Sequence, residues 1–255
     1  MSSETAHRSR IAVVTGSGSG IGRACALALL AAGWSLALAG RRKDALEATL
    51  DLAGPDAGRV LVVPTDICKP ASVEALFETV VQHFGRLDLL FNNAGATVPR
   101  HPTADVVLED WQRVMQTTVT GTFLCAQQAF RRMSRQSPMG GRIINNGAPS
   151  AVLPWPGAIT FSTAKHAILG LTRALALDGR PYNISCGQID LGNVEPPGGA
   201  PKPGTTSGEG PPRAEPTMPV ERVTAAVLFM ASLPLDSTVQ YLTVLPTTRS
   251  YVDRG

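Results

Sequence analysis

"RIAVVTGSGSGIGRACALALLAAG", residues 10–33, joins two kinds of pattern through a run of glycines. "RIAVVTG" is a short apolar run and reads as a buried strand. "GRACALALLAAG" reads as a helix, stopped by Gly33. Between them stand Gly16, Gly20 and Gly22. Glycines so placed give a tight turn and let backbone N–H groups approach a pyrophosphate at a helix start. Glycine spacing alone is common in ordinary turns. Here it follows a strand, opens a helix and begins a strand–helix–strand unit, the context a dinucleotide site requires. The expected cofactor contacts at this turn are Gly16, Ser17, Ser19, Gly20, Ile21 and Gly22.

The same alternation continues along the chain. "SLALAG" (35–40), "RVLVVPTD" (59–66), "LDLLFNNAG" (87–95), "GRIINNG" (141–147), "NISCGQID" (183–190) and "VQYLTVLP" (239–246) read as strands. Helical patterns fall between them, including one long helix over 109–133 and another over 161–179. Such alternation predicts a parallel sheet with helices on both faces. Residues 194–219 differ in kind, with eight prolines and five glycines. They cannot form a regular element and are expected to be a loop that lids the substrate pocket.

Composition excludes several classes. The chain has 255 residues, a net charge of +3 and no clustered basic face, so no nucleic-acid partner is expected. Cys25, Cys68, Cys125 and Cys186 lie far apart without a CxxC pair. They read as reduced core residues of a cytoplasmic protein, with no metal centre. The N-terminal residues lack an apolar leader core, and the longest apolar run, 24–40, is broken by Gly33, Trp34 and Ser35. No membrane partner is expected.

The second strand ends in "LALAGRR". An acid there selects a free ribose 2′-hydroxyl, whereas arginine accommodates a 2′-phosphate. Arg41 and Arg42 therefore favour NADP over NAD.

"TGSGSGIG" (15–22), "NNAG" (92–95) and "FSTAK" (161–165) together resemble the short-chain dehydrogenase/reductase family. The resemblance spans nearly the whole chain. It implies one Rossmann-like, doubly wound α/β domain over residues 1–255, with about seven parallel strands. It implies that Asp66, with Ile67 beside it, meets the adenine. Asn92, Ala94 and Gly95 would line the cofactor, and Lys165 would hold the nicotinamide ribose. Homotetramers or homodimers packed through the two long helices and C-terminal strands are implied as well.

The family's proton chemistry uses Tyr, Lys, Ser and Asn. Carried over position by position, Lys165 is present, but Phe161 stands at the Tyr position, Ala148 at the Ser position and Thr118 at the Asn position. "LG" (191–192) stands where the family has "PG", and Pro196 where a Thr often meets the carboxamide. Phe161 and Lys165 are four residues apart and share a helical face. A phenyl ring has no proton to give, and a positioned general acid contributes about 10²- to 10⁴-fold.

Among substitutes, Ser150 lies two residues past Ala148. Ser162 and Thr163 point off the Phe161–Lys165 face, and His166 is rotated about 100° from Lys165. Tyr182, Tyr241 and Tyr251 lie outside the expected centre. Asp190 and Glu195 flank the lid and could be acids, although charged loop residues are usually just solvated. Asn145 and Asn146 either bond a ligand or cap a turn. Gly147, Ala148, Ala151, Trp155 and Phe161 suggest an apolar pocket for a small-molecule substrate.

Three functions follow. One is an NADP-dependent oxidoreductase acting on a small apolar carbonyl or alcohol through a rearranged proton relay. A second is a scaffold repurposed for cyclisation, dehydration or epimerisation. A third is a non-catalytic nucleotide-binding protein. The intact nucleotide motifs favour the first.

Overall fold

The computed structural model describes residues 10–195 and 216–248. The strands are β1 (Ile11–Thr15), β2 (Ser35–Gly40), β3 (Val60–Pro64), β4 (Leu89–Asn92), β5 (Gly141–Asn146), β6 (Ile184–Leu191) and β7 (Tyr241–Val244). The helices are α1 (Gly20–Ala31), α2 (Lys43–Asp51), α3 (Pro70–Phe84), α4 (Leu108–Val114), α5 (Gly121–Met133), α6 (Ile159–Asp178) and α7 (Val220–Ser232).

The strands form one seven-stranded, all-parallel sheet in the order β3-β2-β1-β4-β5-β6-β7. Alternation along each strand divides the core. Ala12, Val14, Leu36 and Leu38 pack against α1 and α7 on one face. Ile11, Val13, Ala37 and Ala39 pack with α3 and α5 on the other. The doubly wound α/β fold expected from the sequence is the observed one. The chain runs outward from β1 to β3 and then returns to place β4 against the other side of β1. That reversal opens a crevice beyond the carboxyl ends of the strands, where ligands bind in open α/β sheets.

Two details differ from the sequence reading. The long helix over 109–133 carries a π-helical turn, Met115–Thr120, between α4 and α5. The helix bearing Phe161 begins two residues earlier, at Ile159. Of the expected lid, residues 196–215 lie outside the described residues. Its described ends meet: Val194 bridges Met218, and the Glu195 N–H donates to the Met218 carbonyl at 3.0 Å. Among the described residues, no helix is long and apolar enough to cross a membrane.

Candidate functional site

The β1–α1 turn is built by glycine. Gly16 has φ +68° and donates its N–H to the Ala39 carbonyl at 2.8 Å. A Cβ on Gly22 would overlap the Gly16 carbonyl oxygen, so only glycine lets α1 start this close to the turn. Ser19 stands at the N-cap but makes no side-chain capping bond. The first N–H groups of α1 are thus left to an external acceptor, in the positive field of the helix end. Arg23 braces the turn from behind, donating to Thr49 Oγ1 at 3.0 Å and to the Gly18 carbonyl.

A cavity of about 990 Å³ runs from this turn to the N-terminal half of α6. Of the residues predicted for a cofactor, Gly16, Ser19, Ile21, Gly22, Arg41, Arg42, Asp66, Ile67, Ala94, Gly95 and Lys165 line it. Arg41 and Arg42 are exposed at its rim. Asp66 Oδ1 accepts the Cys68 N–H at 3.0 Å, which fixes the turn after β3. Three predicted residues do not line the cavity. Ser17 is fully buried, with its hydroxyl toward the Ala39 carbonyl at 3.4 Å. Gly20 opens α1 with φ +53°. Asn92 is buried in β4 and donates to Asn145 Oδ1 at 3.0 Å. Its neighbour Asn93 lines the cavity instead. Successive strand residues face opposite ways, and "NN" alone does not say which faces out. Asn93 donates to the Thr15 carbonyl at 3.0 Å and accepts Asn146 Nδ2 at 3.1 Å, tying β1 to β5.

The five predicted catalytic positions converge at the other end. Thr118, Ala148, Ser150, Phe161 and Lys165 all line the cavity. Phe161 and Lys165 share one face of α6, with Lys165 Nζ 5.7 Å from the ring centroid. Lys165 donates to the Asn146 carbonyl at 2.7 Å. Burial pulls its pKa down to about 8, against an upward pull from the Asp190 charge. Thr118 sits in the π-helical turn, and its hydroxyl accepts the Ala96 N–H at 3.1 Å, which anchors the segment after β4. The Ser150 hydroxyl is buried at the cavity wall with no hydrogen-bond partner.

The other sequence candidates separate. His166 is exposed and bonds the Ala151 carbonyl at 2.8 Å. Tyr182 stacks edge-on against Phe130, and Tyr241 accepts Arg173 Nε at 2.8 Å; neither lines the cavity. Tyr251 and Pro196 lie outside the described residues. Trp155 and Gly147 line the pocket, whereas Ala151 is buried off it. Asn145 is buried, donating to Thr172 Oγ1 at 2.9 Å, so it holds the sheet together.

Asp190 corrects the sequence reading. It is not solvated: it is the penultimate residue of β6, within the strand expected over 183–190, and only 8% exposed. Its Oδ1 accepts Gln188 Nε2 at 2.7 Å, and the backbone N–H of Ala148 also donates to its carboxylate. Desolvation raises its pKa despite these bonds and the nearby Lys165 charge. No group of three or more His, Cys, Asp or Glu placed to hold a metal ion occurs among the described residues.

Residues 10–203 match the family described as short chain dehydrogenase. The chain belongs to the short-chain dehydrogenase family. The uncharacterized oxidoreductase YohF of Escherichia coli is 34% identical over 216 residues, covering 84% of this chain and 82% of that protein. The 2,5-dichloro-2,5-cyclohexadiene-1,4-diol dehydrogenase of Sphingobium indicum is 36% identical over 185 residues, 72% of each chain. The crystal structure of acetoin dehydrogenase from Enterobacter cloacae superposes with a TM-score of 0.80 at 29% identity, covering 93% of this chain and 94% of that one.

Proposed function

We propose that this family member is an NADP(H)-dependent oxidoreductase acting on a small apolar carbonyl or alcohol through a rearranged proton relay. The observation that carries the reading is the single cavity that joins the glycine turn to Lys165. The glycine cradle and the uncapped start of α1 fit a pyrophosphate. Arg41 and Arg42 fit a 2′-phosphate, Asp66 and Ile67 the adenine, and Ala94, Gly95 and Lys165 the nicotinamide half. The bound cofactor supplies hydride chemistry; the chain supplies orientation and the proton.

Phe161, Ala148 and Thr118 leave the site without the family's usual Tyr, Ser and Asn. Two donors remain at the wall. The Lys165 ammonium is buried beside the Phe161 ring, and the Ser150 hydroxyl, buried without a hydrogen-bond partner, would hold a substrate oxygen by turning toward the cavity. The absence of a phenol also supports a second reading, a scaffold repurposed for non-redox chemistry or for binding alone. The loop over 194–219 is proposed to lid the pocket. A homodimer or homotetramer is proposed, with the exposed Phe123 on α5, Phe229 on α7 and Tyr241 on β7 as apolar surface for it to bury, and a cytoplasmic location is proposed from the four unpaired cysteines.

The test is a fluorescence titration with NADPH and NADH. Arg41→Ala should weaken NADPH binding by about 1.5–3 kcal/mol, the range for a hydrogen bond to a charged group, and leave NADH nearly unchanged. Equal losses would refute the 2′-phosphate assignment. Binding of neither cofactor would end the oxidoreductase reading.

A further inference from the structure

We propose that Asp190 is the positioning residue of this site, standing in for the missing phenol as the polar partner of Lys165 by holding it as an ammonium ion and fixing the Gly147–Ala148 turn. The placement of the carboxylate is the first observation. Gly147 N–H donates to the Ile189 carbonyl at 2.8 Å, so the end of β5 lies against the end of β6. A Cβ on Gly147 would overlap Asp190 Oδ1, so the carboxylate fills the space where any other residue would carry a side chain. It is gripped there by Gln188 Nε2 and by the Ala148 N–H.

Gln188 does not stand alone. Its Oε1 accepts Thr172 Oγ1 at 3.3 Å, Thr172 accepts Asn145 Nδ2 at 2.9 Å, and Asn145 accepts Asn92 Nδ2 at 3.0 Å. This buried polar chain crosses β4, β5, β6 and α6 and ends on Asp190. Buried polar groups on this scale are costly unless satisfied. Here the chain delivers one carboxylate to the back of the pocket wall.

The second observation is the cation on the other side of that wall. Lys165 Nζ donates to the Asn146 carbonyl, one residue before Gly147. What faces it is the Phe161 ring from α6, that carbonyl from β5 and the Asp190 charge from β6. The other charged side chains on the cavity wall, among them Arg41, Asp66, Arg100 and Asp110, come from other segments of the chain. Lys165 and Asp190 make no direct ion pair; they are linked through two neighbours in the chain, Asn146, whose carbonyl accepts from Lys165, and Gly147, which lies against the Asp190 carboxylate. At such range a low-dielectric interior still transmits a charge that water would screen. The assignment holds for Lys165 whatever the substrate; only its bearing on proton delivery rests on the oxidoreductase reading.

The test reads the charge of Lys165 directly. The chain has only four lysines, at 43, 69, 165 and 202. In protein labelled with ¹³C,¹⁵N-lysine, the Nζ signal that disappears in Lys165→Arg belongs to Lys165. Its titration is then followed in the wild type and in Asp190→Asn, which keeps the shape and a hydrogen-bond acceptor but removes the charge. The midpoint should fall by roughly one pH unit in the variant, the lower end for loss of a nearby opposite charge. A midpoint unchanged in folded Asp190→Asn would overturn the proposal. Should that variant not fold, the wild type decides. Its Lys165 signal should show a second, acid-side inflection as Asp190 takes a proton, and a single-step titration contradicts the assignment. Neither readout depends on turnover or cofactor binding, so failure here and failure of the proposed function are distinguishable.

Discussion

Phe161 and Lys165 stand one turn apart on α6, with the Lys165 Nζ 5.7 Å from the ring centroid, and in the proposed function the ring takes the place of a proton donor. The spacing was legible in the sequence because residues four apart share a helix face. The proton balance can be tested through pH. Burial lowers the Lys165 pKa to about 8, so it is chiefly ammonium below that value and neutral amine above it. If the ammonium protonates the product oxygen, carbonyl reduction falls by roughly tenfold per unit above that pH, whereas alcohol oxidation, which needs the neutral amine, rises up to that pH and levels off above it. A kcat profile flat to pH 10 contradicts that role. Asp190 was not legible, because its burial depends on Gly147, 43 residues away, and a charge beside a Pro/Gly segment reads as solvated. Gly22 was legible as a turn glycine, but the overlap with Gly16 is a fact of packing. Gly22→Ala should therefore abolish dinucleotide binding in the fluorescence titration. Retained affinity would mean that the turn does not hold the pyrophosphate.

Among the elements, strands and helices followed from alternating apolar runs, and most boundaries moved by only a residue or two. The π-helical turn at Met115–Thr120 was not legible, since one extra residue in a turn leaves the apolar pattern of a long helix nearly intact. It has a consequence for packing, because α5 begins at Gly121 directly against Ile67 on the cavity wall. A Cβ there would stand 2.7 Å from Ile67 Cδ1. Gly121→Ala is expected to cost about 1–3 kcal/mol through overpacking and to push Ile67 into the nucleotide end of the cavity. Urea unfolding should show the loss and NADPH titration a weaker affinity. A stabilised variant would mean that the helix shifts freely and the wall is soft.

For the whole molecule, the parallel sheet places both ends of the cavity along one edge, and this much the motif order alone could suggest. The core adds its own pH dependence. Cys25, Cys125 and Cys186 are buried, and desolvation pushes their thiols from 9.0 up to about 12. A raised pKa means that the folded state keeps protons the unfolded chain releases. Stability from these thiols is thus complete below about pH 9 and is lost as pH rises toward 12. Lys165 acts in the opposite sense above pH 8, but it is one group against three. Urea midpoints should decline between pH 9 and 11, and less so when Cys186 is replaced by alanine.

NADPH oxidation against a panel of small ketones and quinones is the measurement closest to the proposed function, carbonyl reduction without a phenol at position 161. Wild type and Phe161→Tyr/Ala148→Ser should be compared side by side. The account predicts measurable wild-type turnover that the double variant raises, because a phenol at 161 would lie beside the Lys165 ammonium and have its pKa lowered. Fast wild-type turnover that Phe161→Tyr slows would contradict it, since Phe161 would then be part of a working apolar pocket and the missing relay irrelevant.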